Sequence, residues 1–162
     1  MDTTRRSYSI LLSLVALWCG MIVLAPLLQG TSESASSLIY KFFSRICHQL
    51  DERSFHVAGA KFAVCIRCSS IYFAFFAGLA FYPFVKGLMN RATPGLRWLF
   101  FASIPMFLDV FLSLTGIHTS TDATRLVTGG IFGFALPWYI MPVLFDALTI
   151  RKGEPLYARK TE

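Results

Sequence analysis

The chain has 162 residues, 55% hydrophobic and 15% charged, with a formal net charge of +6. Soluble domains carry about 25% charge and about 45–50% apolar residues, and this apolar surplus exceeds what one core of this size buries. The composition argues against a soluble monomer, and equally against disordered, collagen-like and low-complexity chains.

The first apolar run begins after Arg5 and Arg6. No charged residue occurs from Ser7 to Ser32, and Ile10 to Leu28 is almost wholly apolar. A membrane-crossing helix needs about 20 such residues, so a span is expected over about residues 8–29. A cleaved signal peptide is the rival reading. The run is long for one, and no A-x-A-like cleavage site follows it.

Thr31 to Ser37 reads as a polar linker. Beyond it Leu38, Ile39, Phe42, Phe43, Ile46 and Leu50 recur at helical spacing, with Lys41, Ser44, Arg45 and Gln49 on the other face. This predicts an amphipathic helix over about residues 37–50, too short to cross a membrane. It would lie in the headgroup plane or pack on the bundle. Three further spans are expected, over about 62–86, 97–116 and 124–148. The fold class is all-α: a single polytopic membrane domain over 1–162, a four-helix transmembrane bundle with a short interfacial helix.

Lys and Arg near the span ends set orientation. Arg5, Arg6, Lys86, Arg91, Arg97, Arg151, Lys152, Arg159 and Lys160 fall on one side; Lys41, Arg45, Arg53 and Lys61 fall on the other, with Arg67 and Arg125 at helix ends. Both termini are therefore expected in the cytoplasm, with the protein in the cytoplasmic (inner) membrane. Anionic lipid headgroups account for the positive charge. No contiguous basic stripe points to nucleic acid. Oligomeric state is not legible in the sequence.

The chemistry concentrates in C-H-x16-C-x2-C: Cys47, His48, Cys65 and Cys68. Thiolate and imidazole in two short clusters suit tetrahedral zinc, so Zn2+ is the expected cofactor. On one regular helix, Cys47 and His48 would point about 100° apart, so both can bind one ion only if the helix frays. Two other readings stand beside the metal. One is a Cys65/Cys68 redox pair, with Cys47 as exchanging thiol and a quinone as electron acceptor. The other is scattered structural thiols with a surface histidine. Cys19, within the first span, reads as a small apolar residue.

Asp109 is the only charge from Trp98 to Thr121, where a carboxylate at mid-bilayer costs about 2.5–3.5 kcal/mol on an insertion scale. Pro105, four residues earlier, would kink that helix. Ser120, Thr121 and Asp122 offer N-caps to the fourth span. Arg125 opens that span on one face with Gly129 and Gly133, a small-x3-small pattern best read as close packing. Asp109 and Arg125 are expected either as catalytic groups or as a structural ion pair locking two helices. These residues and the Cys/His cluster fall at one depth on one side of the membrane, which reads as a site. Arg53, Arg67 and His56 are near enough in sequence to join it, although Arg67 alternatively snorkels to headgroups. His56 and His118 read as interfacial.

The chain resembles an uncharacterised bacterial membrane-protein family, the domain of unknown function 2085 type, over about residues 40–135. The motifs that carry the resemblance are Cys47-His48-Gln49, Arg53-Ser54-Phe55, Cys65-Ile66-Arg67-Cys68-Ser69-Ser70-Ile71-Tyr72, the Pro105/Asp109 spacing, and Ser120-Thr121-Asp122 with Arg125, Thr128 and Gly129. Ser69 stands where the family pattern has Thr, and Asp122 where it has Asn. The resemblance supports the site and implies no reaction.

Three functions are expected from these residues. In the first, the metal site acts on a lipid or isoprenoid phosphate, as a metal-dependent membrane hydrolase. Asp109 serves as general base, Arg125 holds the anion, and Arg53, Arg67, Tyr72, Thr121 and Asp122 face the substrate. If all four ligands bind, the zinc is instead closed and structural. The second function is the quinone-coupled thiol oxidoreductase. The third is a small transporter or channel subunit, which four helices form only as an oligomer.

Overall fold

The computed structural model describes residues 2–87 and 92–150. Helix α1 (Asp2–Leu27) runs to Pro26 in its last turn, and α2 (Glu33–Phe43) follows a short turn. A single 3-10 turn (Asp51–Arg53) leads into a two-stranded antiparallel hairpin, β1 (His56–Val57) and β2 (Ala60–Lys61). Three spanning segments follow: α3 (Ile66–Val85), α4 (Leu96–Leu114), and α5 (Asp122–Ala135) continued by α6 (Pro137–Ile150). Among the described residues, four helical stretches are long and apolar enough to cross a membrane: Thr4–Leu27, Ile66–Val85, Leu96–Leu114 and Asp122–Ala147. The expected four spans are thus present.

Their surfaces agree with a lipid environment. Phe84, Trp98, Phe107, Phe111 and Leu114 are exposed. Along α4 Asp109 is the one buried residue. A helix that turns its apolar side chains outward and buries its carboxylate suits a solvent of hydrocarbon and not of water.

Three expectations need correction. The amphipathic helix runs over Glu33–Phe43 and not over 37–50, so most of the expected 31–37 linker is its first turn and it stops at Phe43. Gln49 takes positive φ (51°), and its side-chain amide donates to the carbonyls of Tyr40 (2.9 Å) and Ala63 (2.7 Å). These bonds draw residues 44–49 back over the end of α2, so Cys47 and His48 lie off the helix. The second span begins at Ile66 and not near 62, because residues 56–61 form the hairpin instead. Its turn, Ala58-Gly59, has φ of 53° and 81°, the double-positive geometry of a two-residue hairpin loop. Finally, the fourth span divides at Leu136. Pro137 lacks an N–H, and its ring crowds the carbonyl of Gly133, which kinks the span between α5 and α6.

The tightest crossing is α3 on α5, made by glycines as the small-x3-small spacing predicts. A Cβ on Gly133 would lie 2.8 Å from the Ile71 Cα, and one on Gly129 would lie 2.9 Å from the Arg67 carbonyl. Both neighbours are backbone and cannot rotate away. Gly133→Ala is therefore expected to destabilise the bundle by about 1–3 kcal/mol or more. Gly130, one residue from Gly129, meets nothing within 4 Å. Gly130→Ala should be neutral or stabilise by up to about 1 kcal/mol, the helix-propensity difference. Detergent-unfolding midpoints of the two variants check this, and equal midpoints would refute the crossing.

Two buried clusters hold the ends of the bundle. Tyr8, Leu79, Tyr82, Met141 and Phe145 close one end, where the Tyr8 hydroxyl donates to the Leu79 carbonyl at 3.0 Å. Ile22, Ala25, Phe43, Cys47, Ala63 and Val64 close the other. There the Ser36 hydroxyl donates to the Ala25 carbonyl (2.8 Å) and the Ala63 N–H to that of Ile22 (3.4 Å). The 44–65 segment is thereby docked on the C-terminal end of α1.

Candidate metal centre

At that second end the sulfurs of Cys47, Cys65 and Cys68 lie within 4.8 Å of one another. Cys65 is the N-cap residue of α3 and Cys68 is in its first turn, so three-residue spacing turns both to one face. Cys47 reaches them from the segment that Gln49 folds back. Its Sγ accepts the Cys65 backbone N–H at 3.2 Å. Hydrogen bonds from Cys65 and then Cys68 favour its thiolate over the cost of burial, and hold it far below the ordinary thiol range. Sulfurs about 2.3 Å from a tetrahedral zinc stand about 3.8 Å apart, so a small contraction brings this trio onto one ion.

The trio opens on a cavity of about 210 Å³, also lined by His48, Arg53, Arg67 and Arg125. His48 is exposed and lies outside the close sulfur group. Behind the cavity, Arg67 Nη2 pairs with Asp109 Oδ2 and donates to Ser120 Oγ at 3.1 Å. The Ser120 hydroxyl lies 3.0 and 2.8 Å from the two Asp109 oxygens. Asp109 is 7% exposed and does not line the cavity.

The family described as "Predicted membrane protein (DUF2085)" matches residues 47–139, from the first cysteine of the trio to just past the Pro137 kink. The chain belongs to this family. An uncharacterised protein of Methanocaldococcus jannaschii is 35% identical over 150 residues, covering 89% of this chain and 96% of that protein. Another, from Methanothermobacter thermautotrophicus, is 35% identical over 94 residues, covering 58% of this chain and 83% of its own. No solved structure matches the chain. Both relatives are archaeal, so the bacterial label attached to the resemblance is not supported.

Within this DUF2085 fold the expected Asp109–Arg125 pair does not form. Asp109 takes Arg67, and Arg125 turns to Asp122 on its own helix, Nη1 to Oδ1 at 3.2 Å. The reason is layering: α4 packs on α5, and the Ser120 loop between them brings the α4 carboxylate to the first turn of α3. Arg67 is accordingly an ion-pair partner and not a headgroup anchor. Thr121 is the N-cap of α5, accepting the Thr124 N–H at 3.2 Å, and with Asp122 stands off the cavity. Tyr72 packs edge-on to Trp18, with ring centroids 5.7 Å apart, in a separate apolar groove. Cys19 is buried within α1, as expected of an apolar residue. Two residues gain roles that periodicity did not suggest. Gln49 looked like the polar face of a helix, and Ser120 looked only like a cap. The one signal for Gln49 was its adjacency to Cys47-His48.

Proposed function

We propose that the protein is an integral membrane metalloprotein whose Cys47, Cys65 and Cys68 thiolates hold one Zn2+, with the fourth position facing the arginine-lined cavity. The observation that carries this reading is the convergence of three sulfurs within 4.8 Å from two segments 18 residues apart in sequence. Scattered structural thiols have no reason to converge, and a bound cation is what would let all three sulfurs ionise side by side. Three protein ligands and an open position are the ligand count of catalytic zinc, which supplies a Lewis-acid face for an oxygen or a water.

On this reading His48 is a wall of the cavity, and the Asp109 carboxylate is committed to Arg67 and Ser120. Asp109 then positions Arg67 and does not act as general base. The asymmetry of Lys and Arg supports placing the site on the extracytoplasmic face, within reach of headgroups.

Metal analysis of the purified protein, with a thiol count on the same sample, tests the reading. One zinc per chain and no disulfide is the expected result. A metal-free protein with a Cys65–Cys68 disulfide would replace it with quinone-coupled thiol exchange. His48→Ala should retain the full zinc content. Loss of zinc in that variant would make His48 the fourth ligand and the site a closed, structural one.

A further inference from the structure

Three arginines, Arg53, Arg67 and Arg125, line the cavity beside the sulfur trio, and among the described residues no Asp or Glu lines it. Their charges are unequally met. Arg67 is neutralised by Asp109, but its Nε is buried and makes no hydrogen bond among the described residues. The Arg125 side chain is 12% exposed, and its one ion-pair partner among the described residues, Asp122, is 64% exposed. A contact to so solvated a carboxylate is screened and weak, whereas a largely desolvated guanidinium calls for a counter-charge close by. Arg53 makes no ion pair among the described residues. Two independent features, an orphaned guanidinium nitrogen on Arg67 and a weakly paired, half-buried Arg125, thus belong to residues that line one small space.

We propose that this cavity is a receptor for a phosphomonoester-type oxyanion, held by Arg53 and Arg125 against the edge of Arg67, with one oxygen at the open metal position. The proposal rests on the metal reading above. Arginine forks match the paired oxygens of a phosphate. Asp109 and Ser120 hold the third fork in place, as the outer contacts of an anion site do. At about 210 Å³ the space is below the roughly 300–1,000 Å³ of drug-sized pockets, so it admits a headgroup and not a whole lipid. Tyr72, one turn beyond Cys68 on the same face of α3, borders an apolar groove of about 400 Å³ with Trp18 and Phe75. A hydrocarbon chain carried by the phosphate would have a place there. The same chemistry is offered by a lipid phosphate headgroup and by free phosphate.

The test uses the full chain, zinc-loaded, in phosphatidylcholine nanodiscs. Two probes are compared: inorganic phosphate in solution, and phosphatidic acid doped into the disc, each followed by phosphorus NMR. Saturable binding of one phosphate per chain is expected with at least one probe. Binding of inorganic phosphate alone would identify the free anion, and binding of phosphatidic acid alone would identify a lipid; either supports the receptor. Arg53→Gln and Arg125→Gln should each weaken binding about tenfold or more, the usual weight of a charge-assisted contact, with zinc content unchanged. Arg53 is exposed, so its variant is expected to fold even if that of Arg125 does not. Arg45, exposed and off the cavity, is the control, and Arg45→Gln should bind as the parent does. Zinc-loaded protein that binds neither probe would overturn the receptor and leave the metal centre standing. Equal weakening in Arg45→Gln and Arg53→Gln would also overturn it, as mere surface attraction. Protein that takes up no zinc would remove the metal reading and this inference together.

Discussion

Cys65→Ser is expected to reduce zinc affinity at least about a thousandfold, or about 4 kcal/mol, and to lower the unfolding midpoint of the protein. Cys65 does two things at once. It supplies one of three sulfurs, and its backbone N–H bonds the Cys47 sulfur at 3.2 Å. Structural zinc contributes about 10–16 kcal/mol in small zinc domains. Removing one of three thiolates should therefore loosen both the metal and the 44–65 segment that it pins to α1 and α3. Cys19→Ser is the matched control, since Cys19 lies within α1 away from the trio, and it should keep one zinc per chain. Metal content after extensive dialysis, with detergent-unfolding curves for both variants, decides the matter. Full zinc content in Cys65→Ser would remove the basis of the metal centre.

Asp109→Ala should destabilise the protein by about 1–3 kcal/mol, less than the loss from a fully buried pair because the Arg67 side chain it leaves is 23% exposed. Arg67 would keep its guanidinium at the head of α3 with only Ser120 to meet it. Zinc should stay bound, because Asp109 is not among the close ligand group. The double variant Arg67→Met with Asp109→Leu should recover much of the loss, since apolar replacement of both members of a buried pair is often neutral or stabilising. Unfolding free energies of the two singles and the double give the coupling directly. Strictly additive losses would show that the two side chains do not interact. Loss of zinc in Asp109→Ala would instead make the carboxylate part of the metal site.

Much of this architecture was legible without coordinates. Four apolar runs became four spans, and the C-H-x16-C-x2-C spacing marked the cysteines that meet. The glycines at 129 and 133 marked the face that α5 lays on α3. What misled were places where a local bond outweighed a periodic pattern. Ile46 and Leu50 continued the apolar stripe of α2, yet the two hydrogen bonds of Gln49 turned the chain at residue 44. The Ala58-Gly59 turn carries no Asn-Gly or Asp-Gly signal, so the hairpin was invisible beside the expected start of α3.

Span number and the identity of the cysteines that meet were legible in the sequence itself, since hydropathy and short spacings act within a turn or two of chain. Only the tertiary structure decided that Asp109 takes Arg67 over Arg125, that His48 stands outside the close sulfur group, and that three arginines share one cavity. Those outcomes depend on how far each helix is rotated about its axis and which helix lies between the other two. The glycine contacts of α3 with α5 set that rotation, and no residue carries it alone.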